Sequence, residues 1–124
     1  MNLGKTLINL VVIKTDKIQQ QFEFYSALGL QFEYHKHGNG PSHYASSGGS
    51  PVIEIYPLPK GVPQPDNTTR LGFTVEHLGK LIQNLRDKGF IIVSEPSDTE
   101  WGYRAVVQDL DERKIELTEI KSVS

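Results

Sequence analysis

The histidines are the first residues in this chain whose types and spacing suggest chemistry. There are four histidines and no cysteine, so disulfides, thiolate metal sites and cysteine nucleophiles are excluded. His35 and His37 are spaced as His-x-His, which resembles a metal-binding pair, and they share a strand face with Glu33. They also flank the Asn39-Gly40 tip of a predicted hairpin, where polar side chains commonly face solvent. We therefore interpret them as surface residues and predict no metal there.

Three charged residues stand beside short apolar runs that alternate like strands. Glu54 lies in VIEIY, Glu116 lies in KIELT, and Arg70 directly precedes LGFTV. Successive strand residues point to opposite faces, so each charge falls on the face opposite the large apolar side chains. This pattern is typical of a curved sheet that lines a cavity, although a solvated sheet face has the same pattern.

The elements that would position these residues begin with a strand. The β-branched run Leu7–Ile13 predicts a buried strand. Asp16 is a plausible N-cap for a helix that ends at Gly29, since glycine enters the left-handed region freely. The helix carries an apolar stripe at Ile18, Phe22, Tyr25 and Leu28. Further strands are predicted at Leu30–Lys36, His43–Ser46 and Val52–Leu58.

The same order of elements is predicted a second time after a proline-rich linker. Pro57, Pro59, Pro63 and Pro65 mark that linker, because proline cannot pair in a central strand. A strand then precedes a helix with a stripe at Leu78, Ile82 and Leu85, which ends near Gly89, and His77 takes a surface position early in that helix. The remaining strands are predicted at Phe90–Val93, Arg104–Gln108 and Lys114–Ile120, with a polar loop at Glu95–Glu100.

Length and charge limit the class of protein. A chain of 124 residues allows one compact domain, here two βαβββ modules at about 5–58 and 69–120 within 1–124. The formal net charge of −2 gives no basic stripe for nucleic acid. No apolar run approaches the roughly 20 residues that span a bilayer, and none suits a signal peptide. We therefore expect a cytoplasmic protein that acts on or binds a small molecule.

Two segments carry a resemblance to a known family. Phe22–Tyr34 (FEFYSALGLQFEY), which follows Asp16, and Trp101–Glu119 (WGYRAVVQDLDERKIELTE) resemble the helix-to-strand and closing segments of the vicinal oxygen chelate superfamily. That superfamily includes glyoxalase I, bleomycin-resistance proteins and extradiol dioxygenases. Asp109–Arg113 departs from the family's DPDG turn by lacking both the proline and the glycine. The resemblance implies an α+β fold in which two βαβββ modules form a U-shaped, partly open mixed sheet around a central cavity.

The resemblance also implies a site. Metal-dependent members take two ligands from each module, on its first and last strands, and the corresponding residues here are Asn9, Glu54, Arg70 and Glu116. Asn9 offers only a weak carbonyl oxygen, and Arg70 offers no lone pair and stays protonated. An extradiol dioxygenase, which needs two histidines and a carboxylate, is not expected at these positions. We predict that this centre holds no metal, and no other cofactor is expected.

The leading hypothesis is therefore a small-molecule binding protein that sequesters an antibiotic-like ligand, as bleomycin-resistance proteins do. Arg70 between two carboxylates would give the cavity a net charge of −1, which favours cationic or hydrogen-bonding ligands. We expect a homodimer, because an open sheet leaves edges and a cavity mouth to cover. In the family the pocket is closed either by both modules of one chain or by modules of two chains, and both arrangements stay open here. Candidate ligand contacts besides the four central residues are Trp101, Tyr103, His43, Tyr44 and Tyr56.

Two enzymatic alternatives stay open. In the first, Glu54 and Glu116 are the catalytic residues of a glyoxalase-like lyase or isomerase that acts on an α-hydroxycarbonyl compound, with one carboxylate as base. In this case a divalent metal held by both carboxylates would polarise the substrate. In the second, catalysis needs no metal, and Arg70 stabilises an oxyanion.

Overall fold

The computed structural model describes residues 4–120, so the ends of the predicted domain lie outside the described residues. Two βαβββ modules follow one another, which confirms the predicted α+β architecture. Neither helix of the described chain is long and apolar enough to cross a membrane. The elements are β1 (Leu10–Thr15), α1 (Ile18–Ala27), β2 (Gln31–His35), β3 (His43–Ser47), β4 (Val52–Pro57), β5 (Leu71–Val75), α2 (Leu78–Asp87), β6 (Ile91–Thr99), β7 (Gly102–Gln108) and β8 (Lys114–Glu119).

Each module forms its own four-stranded mixed sheet, and the two sheets have the same topology. The strand orders are β1-β4-β3-β2 and β5-β8-β7-β6. The first strand of each module runs parallel to the last, and the other pairs are antiparallel. Parallel neighbours need a long crossover connection, and in each module the helix lies within that connection.

One hydrophobic core joins the two modules. It contains side chains from both helices and from the helix-facing sides of both sheets, such as Phe24, Ile55, Ile82 and Leu117. As predicted, Glu54 and Glu116 alternate with buried apolar residues on their strands. Their side chains therefore lie on the opposite, open face of each sheet.

The first strand begins later than predicted. β1 starts at Leu10 rather than at Leu7, and its buried residues are Ile13 and Thr15. Asn9 precedes the strand. Counted in steps of two along the chain, it falls on the side of the buried Ile13 and Thr15 and not on the side of Val12. The β1 position beside Glu54 is therefore held by Val12, and a role for Asn9 stays a prediction. The run is apolar at almost every position, so the sequence does not show which face is buried.

The predicted polar loop at Glu95–Glu100 is mostly strand. β6 continues to Thr99, with irregular register on both sides of Ser94. Pro96 is tolerated because β6 is the edge strand of its sheet and the register is already interrupted there. The resulting long β6–β7 hairpin carries Trp101 in its turn.

Of the two predicted ends of α1, the structure confirms the C-terminal one and corrects the N-terminal one. Asp16 is not the N-cap, since Lys17 takes that position without a side-chain cap and Thr15 Oγ1 accepts the Lys17 backbone N–H at 3.0 Å. Gly29 ends the helix as predicted, with φ +114°, and the N–H of Leu30 donates to the carbonyl oxygen of Tyr25 at 3.4 Å.

The turn Asp109–Arg113 connects the two modules through a buried polar cluster. Arg113 Nη1 donates to Asp109 Oδ2 at 3.0 Å and to Asp111 Oδ2 at 3.1 Å. Tyr25 from α1 donates its hydroxyl to Asp109 Oδ2 at 2.7 Å, and Gln21 Nε2 donates to Asp111 Oδ2 at 2.8 Å. These contacts attach the second module's turn to the first module's helix.

The same cluster shifts two pKa values. Burial, together with the adjacent Asp109 carboxylate, raises the pKa of Tyr25 far above its ordinary value. Burial, the largest single effect, lowers the pKa of Arg113. The hydrogen bond to Asp109 and the charges of Asp109 and Asp111 act together in the opposite direction, so that the pKa of Arg113 is raised. The phenol therefore stays neutral and the guanidinium stays charged in the folded protein.

Candidate functional site

The open face of the second sheet carries an arginine–glutamate–arginine cluster. Arg70 Nη2 lies 3.1 Å from Glu116 Oε1, and Arg104 Nη2 lies 2.9 Å from Glu116 Oε2. Glu116 sits on β8 in the centre of the sheet, Arg104 comes from β7, and Arg70 directly precedes β5. Both carboxylate oxygens therefore face a guanidinium group, and the three residues have a net charge of +1.

The space around this cluster is open. Gly72 is the partner of Glu116 on β5, and a Cβ atom placed on Gly72 would meet nothing within 4 Å. Val106 is the partner on the other side, on β7. The Arg70, Arg104 and Glu116 side chains are 55%, 23% and 34% exposed, so their polar groups are accessible from solvent.

The open face of the first sheet carries a different cluster, around Glu54. Glu54 Oε2 lies 3.6 Å from His43 Nε2, and the Tyr56 hydroxyl lies 3.3 Å from the same nitrogen. The His43 and Tyr56 rings stack with centroids 4.1 Å apart. His43 is buried, whereas Glu54 is partly accessible. The structure thus brings together three of the residues predicted to contact a ligand.

The four residues expected at a single centre are divided between these clusters. Within residues 4–120, the ion pair of Arg70 is with Glu116, and that of Glu54 is with His43. Asn9 is exposed and belongs to neither cluster. The expected arrangement of Arg70 between two carboxylates is therefore replaced by Glu116 between two arginines.

The predicted aromatic contacts lie in three different environments. Tyr103 lies on the same side of β7 as the buried Ala105 and packs against the core. Tyr44 faces α1, where it stacks on Phe22 with centroids 4.1 Å apart. Trp101 is 72% exposed in the β6–β7 turn. Of these aromatic side chains, Trp101 is free to meet a ligand without repacking the core.

A large cleft lies between the two modules. Its volume is about 890 Å³, and its lining includes the β3–β4 turn, the β5 strand and Arg70. Apolar side chains such as Val11, Ile53 and Phe73 form much of its wall. Arg70 therefore borders both this cleft and the cluster around Glu116.

A sequence model of the Glyoxalase/Bleomycin resistance protein/Dioxygenase superfamily matches residues 7–117. That range covers nearly all of both modules and both open-face clusters. The chain belongs to this superfamily.

Solved structures with the superfamily fold overlap almost the whole chain. TnmS3, an antibiotic binding protein from Streptomyces sp. CB03234, is 16% identical, with a TM-score of 0.74 over 97% of this chain and 100% of that chain. TioX from Micromonospora sp. ML1 is 16% identical, with a TM-score of 0.71 over 92% of this chain and 98% of that chain. A superfamily protein from Nocardioides is 14% identical, with a TM-score of 0.68 over 99% and 89%. Comparison with curated protein sequences gives no match.

The residues of this chain do not suit the metal centre of the metal-dependent superfamily members. The first-strand partners of Glu54 and Glu116 are Val12 and Gly72, and neither offers a donor atom. Two guanidinium groups already occupy the oxygens of Glu116. At about 4 Å and an effective dielectric near 20, each cation would repel a divalent ion by roughly 8 kcal/mol. The donor set therefore does not favour a metal at Glu116.

Sequence reasoning missed Arg104. The sequence does contain a signal for it, because Arg104, Val106 and Gln108 alternate along β7 with the buried residues Ala105 and Val107. That alternation places Arg104 on the open face, as it does Glu116 on β8. The contact itself depends on the antiparallel register of β7 and β8, which a single sequence does not give.

Proposed function

We propose that this chain is a small-molecule binding protein whose ligand lies on the open face of the second sheet, against Arg70 and Arg104. The observation that carries this proposal is the pairing of both Glu116 oxygens with guanidinium groups. Glu116 holds the two arginines in place, and their remaining N–H groups are available to a ligand. The binding step requires no metal at this cluster.

The charges of the cluster indicate the chemistry of the ligand. With two arginines and one glutamate the net charge is +1, and Lys114 points to the same face. A carboxylate, phenolate or carbonyl-rich group would therefore bind here better than a cation. This reverses the preference inferred from sequence, because that inference did not include Arg104.

Sequestration without a chemical step is the form of binding that we propose, with an antibiotic-like compound as ligand. The superfamily includes bleomycin-resistance proteins, and TnmS3, whose fold this chain shares, is described as an antibiotic binding protein. Trp101 at the β6–β7 turn would contribute an aromatic contact at the rim. Roles for Asn9 and Tyr103 in ligand binding stay predictions, although neither points to this face.

A homodimer in the cytoplasm is part of the proposal. Leu10 and Val12 lie on the open face of the first sheet and are 49% and 41% exposed. A partner subunit over these residues would bury apolar surface and turn an open face into a closed pocket.

One observation favours a second candidate, a lyase or isomerase. Glu54 is partly accessible and lies beside His43, so the two form an acid–base pair on the first sheet. Glu54 would then act as the base toward an α-hydroxycarbonyl substrate.

A screen of structurally diverse antibiotics separates these candidates. The fluorescence of Trp101, the single tryptophan of the chain, reports binding in the presence of excess chelator. Mass spectrometry of the recovered compound then shows whether it has changed. Sequestration predicts saturable binding and an unchanged compound. Chemical conversion that is lost in Glu54→Gln would instead establish the enzyme.

A matched pair of arginine variants locates the site. Arg104→Gln should weaken binding by about tenfold or more, as expected for a lost charged hydrogen bond. Arg86→Gln is the control, because Arg86 is exposed on α2 and pairs with Glu95. Equal affinities of the two variants would place the ligand elsewhere.

A further inference from the structure

Three histidines that are separated in sequence meet on the open side of the first sheet. His35 ends β2, His37 lies in the following turn and His43 begins β3. One ring nitrogen from each lies within 4.8 Å of the others. His35 and His43 are direct partners across the two antiparallel strands, so the sheet itself sets their separation.

The hydrogen bonds of His43 leave one nitrogen suited to a cation. Its Nδ1 lies 3.3 Å from the carbonyl oxygen of Pro41, which can only accept, so Nδ1 carries the hydrogen. Its Nε2 therefore presents a lone pair, 3.6 Å from the Glu54 carboxylate. The Tyr56 hydroxyl lies 3.3 Å from the same nitrogen, so a cation bound at Nε2 would replace the hydrogen bond from Tyr56 and would also neutralise the facing carboxylate.

His35 has the same kind of support. Its Nε2 lies 3.4 Å from Glu33 Oε2, so the carboxylate accepts the Nε2 hydrogen and Nδ1 keeps its lone pair. Histidines that bind metals commonly donate their other ring N–H to a carboxylate or a backbone carbonyl, which fixes the tautomer. His35 and His43 have one such acceptor each.

We propose that His35, His37 and His43 bind a divalent metal of the zinc class. This departs from the expectation from sequence that no metal binds at His35 and His37, because that expectation did not include His43. Glu54 lies beside His43 but outside the trio, and it would reach the ion as a fourth donor by side-chain rotation. Imidazole nitrogens suit zinc, nickel, cobalt and copper. Donors about 2.0–2.1 Å from a tetrahedral zinc ion lie roughly 3.4 Å apart, close to the separation of His43 and Glu54. His37 is exposed in a turn and can close the remaining distance by side-chain rotation.

This site is separate from the cluster around Glu116. It belongs to the β2–β3 hairpin, and the matching β6–β7 hairpin of the second module contains no histidine. The ion would attach the hairpin turn to the centre of the first sheet. The proposal does not depend on the ligand of the second sheet, and it stands if that ligand is never found.

Calorimetric titration of the chelator-treated full chain with zinc chloride tests the proposal. We expect one equivalent to bind with a dissociation constant in the micromolar range or below. His37→Gln and His35→Gln should each weaken binding by about tenfold or more, and both residues are accessible enough for the variants to fold. His77→Gln is the matched control, because His77 lies at the start of α2, outside the trio.

Two results would overturn the proposal. One is the absence of saturable binding at one equivalent. The other is equal weakening by His37→Gln and His77→Gln, since surface histidines in general would then bind the ion. The absorption spectrum of the cobalt(II) form tests the carboxylate. Glu54→Gln should change that spectrum, and an unchanged spectrum would contradict a fourth ligand at Glu54.

Discussion

Arg113 lies between the buried carboxylates Asp109 and Asp111, and its own side chain is only 3% exposed. Its removal would leave both carboxylates without their shared cation in a region of low dielectric. We predict that Arg113→Met lowers the free energy of unfolding by about 3–5 kcal/mol, measured by urea denaturation. Arg86→Met should have little effect, since that ion pair is exposed. Equal losses in both variants would contradict the role of burial.

Glu112 is in the left-handed conformation, with φ +70°, in the turn where the family pattern has glycine. That conformation is unfavourable for residues with a Cβ atom, and glycine adopts it freely. We predict that Glu112→Gly raises the free energy of unfolding by about 0.5–1 kcal/mol, because the strain relieved exceeds the extra backbone entropy that glycine loses on folding. The control is Glu100→Gly in the β6–β7 turn, where φ is not positive and glycine should not stabilise. A destabilised Glu112→Gly would contradict this account.

At the residue scale, the sequence predicted what depends on strand alternation. It placed Glu54 and Glu116 opposite the core, and the structure confirms both placements. It could not show that Arg104 reaches Glu116, nor that His43 lies beside His35 and His37. Those contacts follow from the register of paired strands, and many registers are compatible with one sequence.

At the scale of elements, the contact of α1 with the β7–β8 turn depends on a neutral phenol. The pKa of Tyr25 is raised by burial and by Asp109, so the folded protein keeps the proton that the unfolded chain loses above pH 10, the ordinary pKa. The free energy of unfolding should therefore fall as the pH rises above 10, by about 1.4 kcal/mol per pH unit for this group.

Urea denaturation of the wild type and of Tyr25→Phe between pH 8 and about 11 measures this effect. The variant loses the hydrogen bond to Asp109 and should be less stable at pH 8. Its stability should then decline less steeply than that of the wild type above pH 10. Parallel curves would show that Tyr25 ionises in the folded protein.

The elements themselves were predicted best where periodicity is clear. Both helices follow their apolar stripes, and α1 ends at Gly29 as expected. The prediction was wrong where the sequence pattern fits either face of a strand, and where the neighbouring strands determine whether a segment is a strand or a loop. β1 is apolar at almost every position, so its sequence does not show which of its faces is buried. The polar composition of β6 and its Pro96 predicted a loop, but an edge strand tolerates both.

At the scale of the whole molecule, the duplicated modules were predictable because the order of elements repeats in the sequence. Their association was not, since it depends on Asp109–Arg113 and on a shared core formed by both helices. The two open faces also differ chemically. The first has histidines around Glu54, and the second has arginines around Glu116.

The exposed apolar residues of β1 predict a homodimer. We expect sedimentation at micromolar concentration to show a dimer, and Leu10→Asp to shift the protein toward the monomer by placing a charge in the interface. Val62→Asp is the control, because Val62 is comparably exposed but lies in the linker. A monomeric wild type would contradict the closed pocket.

The central claim is that a small molecule binds against Arg70 and Arg104 without a metal. Calorimetry of the tightest compound from the antibiotic screen, in excess chelator, tests it most directly. We predict saturable binding to the wild type and an affinity about tenfold or more lower for Arg104→Gln. Loss of binding on addition of chelator, or equal affinities of wild type and Arg104→Gln, would contradict the claim.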